Sequence, residues 1–384
     1  MGQNNQIIIY FKQNLLNKQA NKNLHKAQIK LCHQAHQQIQ IEKQKQIKKQ
    51  QQIYQVYLIL KISKKLQKQK NLNNQKKKDT KYNIIQEVCK NKFQWNISLN
   101  KNIQDWNIIW YDYYINDDKL RKMLPFQKIN HFPGSYNLGK KNYLGKHLQK
   151  MNKIFPLEYD FFPKTWLLPF QYEELRIYME KNKTKKPVII VKPEANCQGK
   201  GIYLIQSIQK IRQEQHVVAQ QYIQNPYLID GLKFDFRVYA LVKSVCPLKI
   251  FLYREGFARF ATVKYQKPQK KNIKNMWMHL TNYAINKLNP EFIFNKEVLK
   301  DDFGHKRSFS SILKYLSEIG EDINKVLIQI KQIINKTMCS VQPYLSHLYK
   351  SSQLKEQNNC MCFEIFGFQQ ITKIIILINI FLKL

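Results

Sequence analysis

The chain has 384 residues, with 64 lysines and arginines against 26 acidic residues and a formal net charge of +38. An apolar content of 43 % is enough to bury a core, which excludes a wholly disordered chain, and 11 glycines exclude a collagen-like repeat. So large a positive charge predicts a polyanionic partner: nucleic acid, an anionic membrane surface or an acidic protein segment.

Membrane-spanning and secretory segments are not expected. The longest apolar run, 374–382, is much shorter than the ~20 residues that a membrane-spanning helix needs. The first residues lack the basic, apolar and small-residue regions of a signal peptide. The seven cysteines are scattered and odd in number, which is typical of a reducing compartment rather than of a disulfide framework.

The positive charge is concentrated at the beginning of the chain. Residues 1–80 contain 17 lysines and 18 glutamines but only two acidic residues. A segment of this composition buries little apolar surface, so we interpret residues 1–92 as a basic arm that is disordered or loosely helical. Two interpretations of the arm stay open: a solvated tail, and an electrostatic tether to an acidic surface.

Aromatic residues become frequent at about residue 93, where globular structure is predicted to begin. The folded part is divided into 93–187, 188–368 and an apolar tail at 369–384. Periodicity and turn residues predict helices and strands in an α+β core with several antiparallel strands. The predicted helices are 171–181 and 321–340, and the predicted strands are 188–191, 202–205, 216–223, 233–242, 248–253 and 257–263, with a turn at Gly256.

The order strand, glycine loop, strand at 188–205 predicts a hairpin with a bendable tip. The loop at 198–201 lacks the spacing of a Walker motif, and no G-x-G-x-x-G follows a strand. Lys192 at the base, Lys200 at the tip and the backbone N–H groups between them suit a polyphosphate. The alternative is an ordinary hairpin with surface lysines.

One predicted strand alternates charged and apolar side chains. Because successive side chains of a strand point to opposite faces, Lys233, Asp235 and Arg237 share one face. This face is either a cross-neutralised solvent face or the floor of a binding site. In a binding site, the planar fork of Arg237 would clamp an anion, and Arg259 on a later strand is a second candidate for that role.

Two further segments decide nothing by themselves. The segment 279–287 places hydroxyl and amide side chains in an apolar context, which suits substrate positioning and ordinary turns equally. Cys360 and Cys362 have no second pair and no nearby histidine, so a zinc site is not expected.

Seven motifs taken together resemble the tubulin–tyrosine-ligase-like family and, within it, the tubulin polyglutamylases. They are FQKINHFPG at 126–134, FPKTW at 162–166, KP and QGKGI within 192–202, QQYI at 220–223, LIDGLKFDFRVY at 228–239, MHLTNYAINK at 278–287 and CFEIFGF at 362–368. The resemblance runs from about residue 94 to 368. The polyglutamylase assignment depends on the segments 130–134 and 198–201.

The resemblance implies an ATP-grasp fold, in which antiparallel sheets sandwich a nucleotide. Members of the family join an amino acid to a carboxylate of tubulin: ATP phosphorylates the acceptor carboxylate, and the incoming amine attacks the acylphosphate. It therefore implies ATP and Mg²⁺ as cofactors, and the acidic tails of tubulin and free L-glutamate as partners. It also implies a cytoplasmic, cytoskeletal location at a cilium or basal body, with no DNA or RNA partner.

Carried over motif by motif, the resemblance assigns three groups of site residues. The implied ATP-binding residues are Lys192, Gln198, Gly199, Lys200, Gln220, Gln221, Tyr222, Ile223, Lys233, Asp235, Thr281 and Asn282. Arg237 would meet the negative charge of the acylphosphate. The implied ligands of free glutamate are Arg259, Tyr283 and Lys306.

The sequence departs from the family at its metal ligands. The family places an aspartate after the Phe-Gly-Phe run and a Leu-Glu-Val-Asn segment later, and these groups hold Mg²⁺. Here Gln369 takes the aspartate position, and no acidic residue follows Glu364. Two explanations are open: a non-catalytic, microtubule-binding pseudoenzyme, or an erroneous reading frame whose tail translates non-coding sequence. In either case the chain as written is expected to lack its metal-binding segment.

Overall fold

Helices and antiparallel strands are mixed along the chain, as the sequence predicts. The computed structural model describes residues 80, 82–98, 106–115, 117–194, 199–295, 301–352 and 360–370. They all fall in one of the two units into which the chain divides, residues 50–384. Most of the predicted arm and the tail beyond residue 370 lie outside the described residues. Within those that are described, no helix has the length and apolar character needed to cross a membrane.

The strands and helices of the described residues are numbered here in chain order. The strands are β1 (Ile108–Ile109), β2 (Lys128–Ile129), β3 (Thr165–Leu168), β4 (Ile189–Pro193), β5 (Tyr203–Ile205), β6 (Val217–Gln221), β7 (Leu228–Ile229), β8 (Leu232–Val245), β9 (Leu248–Phe260), β10 (Lys306–Ser308) and β11 (Glu364–Gln370). The helices are α1 (Asn83–Asn91), α2 (Asp117–Arg121), α3 (Tyr136–Gly139), α4 (Lys141–Ile154), α5 (Tyr172–Lys181), α6 (Met276–His279), α7 (Tyr283–Asn286), α8 (Phe309–Glu318) and α9 (Ile323–Ser351).

Two antiparallel sheets carry the site described below. One has the order β10-β9-β8-β11, with β7 paired to β8, and the other has the order β3-β6-β4-β5. β4 and β5 pair as an antiparallel hairpin, which confirms the predicted hairpin around the glycine loop. The predicted boundary at residue 187 falls between strands of the second sheet, because β3 precedes it and β4, β5 and β6 follow it.

The five-stranded sheet packs its apolar face against helices. Phe234 and Phe236 of β8 point into the main core, where α8 contributes Ile312 and α9 contributes Ile334 and Met338. Each of these side chains is at most 2 % exposed. The period-two alternation of β8 therefore buries its aromatic residues here and turns Lys233 and Asp235 to the opposite face.

The predicted turn at Gly256 is wrong, because β9 runs without a break from Leu248 to Phe260. Gly256 lies opposite Val238, beside a register shift between Val238 and Ala240. A Cβ atom at this position would lie 2.3 Å from the carbonyl oxygen of Arg237. The glycine therefore permits the close approach of two strands at a bulge, a use of glycine that resembles a turn signal in sequence.

Structure begins before the predicted start of the globular part. The helix α1 lies within the arm assigned to 1–92, and its Val88 is 1 % exposed. Val88 packs with Leu241 of β8 and with Phe363 and Ile365 next to and within β11. The arm was assigned from the composition of residues 1–80, whereas 83–91 contains Ile84, Ile85 and Val88 and only one lysine and one glutamine.

A buried ion pair fixes the beginning of β11. His131 Nδ1 lies 2.7 Å from Glu364 Oε1, and the backbone N–H of Phe132 donates to Glu364 Oε2 at 3.0 Å. The other ring nitrogen of His131 lies 3.0 Å from the carbonyl oxygen of Tyr111. Glu364 and the Tyr111 carbonyl both accept, which favours a protonated ring, while the amide nitrogen of Asn130 lies further away, 3.4 Å from Nε2.

This pair predicts a stability that decreases with pH. Burial opposes protonation of His131, but the charge and hydrogen bond of Glu364, with the Tyr111 carbonyl and Asp112, raise its pKa above 6.5. A raised pKa contributes stability that is present below pH 6.5 and is lost as the pH rises through the folded-state pKa. We expect urea denaturation to show that the free energy of unfolding decreases as the pH rises from 6.5 through the folded-state pKa of His131. Glu364→Gln should flatten that dependence, and an unchanged slope in this variant would contradict the assignment.

Candidate active site

Asp235 is the centre of a polar cluster on the five-stranded sheet. Its side chain is fully buried, and Arg259 lies directly opposite it on β9. Arg259 Nε donates to Asp235 Oδ1 at 2.8 Å and Nη2 donates to Oδ2 at 3.0 Å. Thr281 Oγ1 also donates to Oδ2, and Gln369 Nε2 donates to it at 2.8 Å. A carboxylate only accepts, so the amide nitrogen of Gln369 is the atom that must face it.

The described residues do not fit a magnesium site at this position. Mg²⁺ takes octahedral oxygen ligands, with one or two carboxylates as its usual protein ligands. Both oxygens of Asp235 already accept from donors, and Glu364 accepts from His131 and Phe132. Among the residues that the structure describes, no three His, Cys, Asp or Glu side chains are grouped as a metal site requires.

Lys192 lies buried on β4, at the base of the glycine hairpin. Its Nζ donates to Gln220 Oε1 at 2.6 Å, and Gln220 Nε2 donates in turn to Thr165 Oγ1 at 2.8 Å. Burial, followed by repulsion from Lys141 and Lys233, holds the pKa of Lys192 well below its usual value. Two buried lysines that repel each other form a site that an anion would stabilise.

Lys233 contacts the segment that follows β6 and the end of α6. Its Nζ donates to Tyr222 Oη and to the carbonyl oxygen of His279, each at 2.9 Å. Burial lowers the pKa of Lys233 to about 7, although the nearby charge of Asp235 acts in the opposite direction. A buried region where the two sheets meet is thus lined by Lys192, Gln220, Tyr222 and Lys233.

The glycine loop closes against the segment that contains Asn282. Gly199 has a φ of +86°, and a Cβ atom there would lie 2.4 Å from Ile285 and 3.1 Å from Asn282. Glycine is therefore favoured by the positive φ, whereas the tip of the flexible Ile285 side chain would have to move to admit a Cβ atom. Lys200 is exposed at the tip, and Gln198 lies outside the described residues.

The remaining predicted ATP-binding residues of this segment, Gln221 and Ile223, lie at the end of β6 and just after it. The backbone N–H of Gln221 donates to the carbonyl oxygen of Lys164 at 2.8 Å. Ile223 is buried. The assignment of Gln221 and Ile223 to ATP stays a prediction.

Arg237 and Lys306 lie beside Arg259. Arg237 Nη1 donates to the carbonyl oxygen of Gly367 at 3.0 Å, and burial followed by repulsion from Arg259 lowers its pKa to about 10. Lys306 is paired with Arg259 across the strands, and its Nζ lies 4.3 Å from the centroid of the Phe257 ring. Arg237 and Arg259 thus lie near the buried carboxylate of Asp235, and Lys306 is next to Arg259 on the adjacent strand, an arrangement that suits an anionic ligand.

Tyr283 is placed differently from the other predicted glutamate ligands. It is 41 % exposed, and its ring contacts Phe292 and Lys287 rather than Arg259 or Lys306 among the contacts described. Its role as a ligand stays a prediction.

Three parts of the site were not predicted from sequence. They are the hydrogen bond from Gln369 to Asp235, the hydrogen bond between Gln220 and Thr165, and the contacts of His279 with Tyr222 and Lys233. Each joins segments that are far apart in the chain. A histidine in an otherwise apolar and amide-rich segment was the only available signal for the third.

The fold and the site define a protein with buried lysines and arginines between two antiparallel sheets, a setting that suits anionic groups. The chain belongs to the tubulin-tyrosine ligase family, whose family model matches residues 119–373.

Several curated relatives are tubulin polyglutamylases by name. The chain is 50 % identical over 290 residues to a probable beta-tubulin polyglutamylase of Tetrahymena thermophila, covering 76 % of this chain and 24 % of the relative. It is 40 % identical over 265 residues to tubulin polyglutamylase ttll6 of Danio rerio, covering 69 % of this chain and 33 % of the relative. It is 41 % identical over 267 residues to tubulin polyglutamylase TTLL13 of Mus musculus, covering 69 % of this chain and 32 % of the relative. The chain spans about a third or less of the length of these relatives.

Proposed function

We propose that the chain is the core of an ATP-dependent ligase of the ATP-grasp type that adds glutamate to glutamate side chains in tubulin tails. The observation that carries the proposal is the meeting of Asp235, Arg259 and Thr281, which come from three separate segments of the chain, in one hydrogen-bonded cluster. The names of the relatives supply the amino acid and the acceptor. The buried lysines supply a place for phosphate groups.

Each cationic group has a role in this reaction. Lys192 and Lys233 would hold the phosphates, since both ammonium groups are buried and an anion would offset the cost of charging them there. Segment 220–223 would line the adenine. Arg237 would face the negative charge that develops on the acceptor, and Arg259 and Lys306 would hold the carboxylates of free glutamate.

ATP would transfer its γ-phosphoryl group to the acceptor carboxylate, which gives an acylphosphate and releases ADP. The amine of glutamate then forms the new C–N bond and loses a proton, and inorganic phosphate leaves. The protein's contribution is to hold three anionic groups close together, which water alone does not do. No step is assigned to Mg²⁺, because the described residues do not fit it.

The charge of the chain suits the proposed acceptor. A net charge of +38 attracts acidic protein tails and accelerates their encounter at low ionic strength. We therefore also propose a cytoskeletal location on microtubules, including those of a cilium or basal body.

The ligase proposal is tested by transfer of labelled glutamate to purified tubulin in the presence of ATP and Mg²⁺. Label on the acidic tails, removed when the tails are clipped off by limited proteolysis, is the expected result. Lys192→Met should abolish the label, because the base of the hairpin loses its cation. Label on tubulin that does not depend on ATP, or no label from a folded wild-type chain, would contradict the proposal.

A second function is favoured by one specific observation, the amide of Gln369 at a position next to Asp235. The chain would then be a microtubule-binding pseudoenzyme without ligase activity. Co-sedimentation with microtubules should be weakened by salt and lost after the acidic tails are removed. Binding that persists on tailless microtubules would contradict this second candidate.

A further inference from the structure

His279 ends the short helix α6 and is completely buried beneath Lys233. Its Nδ1 lies 3.2 Å from Tyr222 Oη, and its Nε2 lies 3.1 Å from the carbonyl oxygen of Asn272. The rings of Tyr222 and Tyr265 meet it edge-on, with centroids at 5.7 and 6.0 Å. Two polar contacts and two aromatic contacts therefore hold the imidazole in place.

The contacts of His279 determine its tautomer. A backbone carbonyl only accepts, so Nε2 carries the proton that is donated to Asn272. In the neutral ring Nδ1 is then an acceptor, and the hydroxyl of Tyr222 donates its proton to it. Burial, followed by the charge of Lys233, lowers the pKa of His279 to about 4, which agrees with a neutral ring.

The orientation of the Tyr222 hydroxyl matters for Lys233. With its proton directed at Nδ1, the hydroxyl oxygen presents lone pairs to the ammonium group 2.9 Å away. Tyr265, the other hydroxyl beside Tyr222, donates its own proton to the carbonyl oxygen of Gln224 at 2.8 Å, and its oxygen is a second hydrogen-bond partner of the Tyr222 hydroxyl. Without the ring acceptor, the Tyr222 proton would turn to Tyr265 or to the carbonyl of His279 at 3.4 Å, and either turn changes the direction of the lone pairs that face Lys233.

We infer that His279 is a positioning residue of the nucleotide site: its unprotonated Nδ1 orients the Tyr222 hydroxyl, which holds the ammonium group of Lys233 in place. His279 itself touches no substrate. The inference rests on the proposed function, because only there is Lys233 a ligand of ATP.

Two amide substitutions separate this role from a structural one. In His279→Asn the amide oxygen replaces Nδ1 as acceptor and the contact with Asn272 is lost. In His279→Gln the amide nitrogen replaces Nε2 as donor to Asn272, and the acceptor for Tyr222 is lost. Affinity for ATP is measured by calorimetry on the full chain, with thermal unfolding of each variant as a check on folding.

We expect His279→Gln to weaken ATP binding about tenfold and His279→Asn to stay within about threefold of wild type. Tyr222→Phe removes the same hydroxyl without changing the histidine and should weaken binding by about the same factor. The double variant Tyr222→Phe with His279→Gln should be no weaker than either single variant, because both break one chain of hydrogen bonds. Tyr265→Phe removes the other partner of the Tyr222 hydroxyl and keeps the ring, so it should leave affinity unchanged if Nδ1 of His279 is the acceptor.

The outcomes are distinguishable. Equal losses in the two amide variants, or no loss in Tyr222→Phe, would overturn the positioning role while wild-type binding of ATP left the proposed function standing. A folded wild-type chain that does not bind ATP would overturn both. If His279→Gln does not fold, a loss in Tyr222→Phe with Tyr265→Phe unchanged supports the chain of hydrogen bonds from His279, and no loss in Tyr222→Phe overturns it.

Discussion

Replacing Asp235 with asparagine is expected to lower the free energy of unfolding by about 3–5 kcal/mol, because it leaves buried charges without their partner. Asp235 is fully buried, and Arg259 is 7 % exposed. The new amide could accept from Arg259 with its oxygen, but its nitrogen would face the donors of Thr281 or Gln369. Urea denaturation with a linear extrapolation measures the loss.

A matched control exists in the turn that precedes the same strand. Asp230 pairs with Arg307 at 2.5 Å, but its side chain is 54 % exposed. Asp230→Asn makes the same chemical change in solvent, where an ion pair contributes less than about 1 kcal/mol. The backbone of Asp230 has a positive φ, which asparagine tolerates, so no strain is added. Equal losses in the two variants would contradict a special role for burial at Asp235.

The face of β8 could be predicted because a strand has a fixed local periodicity. Lys233 and Asp235 needed only the alternation of their own segment to be placed opposite Phe234 and Phe236. The same holds for the hairpin at the glycine loop. What the alternation does not reveal is the partner strand. That Arg259 stands opposite Asp235 depends on the register of β8 and β9, which includes two shifts.

Non-local contacts explain the parts of the site that could not be predicted. Gly256 looked like a turn because its close neighbour, the carbonyl of Arg237, is on another strand. The role of His279 could not be decided from the sequence, because its partners Tyr222, Lys233 and Asn272 come from separate segments. From the sequence, Gln369 was expected only to lack the negative charge of a metal ligand. In the structure its side-chain amide donates a hydrogen bond to Asp235.

Substituting Gln369 with glutamate is expected to make the stability of the protein depend on divalent cations. The carboxylate would lie where the amide now donates 2.8 Å from Asp235 Oδ2. Two adjacent buried carboxylates repel each other, and a bound cation relieves that repulsion. If Mg²⁺ binds with a Kd of about 1 mM, roughly 10 mM Mg²⁺ should stabilise the variant by about 1.4 kcal/mol and raise its Tm by roughly 3–6 °C.

Thermal unfolding with and without Mg²⁺ measures this effect, and Gln369→Met is the matched control. Methionine has a similar length and removes the donor without adding a charge, so it should destabilise the protein equally with and without the cation. Wild type should not respond, because the amide of Gln369 donates to Asp235 at the place where the variant would offer a second carboxylate. A shift of the same size in wild type or in Gln369→Met would place the cation elsewhere on the chain. A shift confined to Gln369→Glu would mean that a single amide at this position keeps Asp235 from acting as a metal ligand.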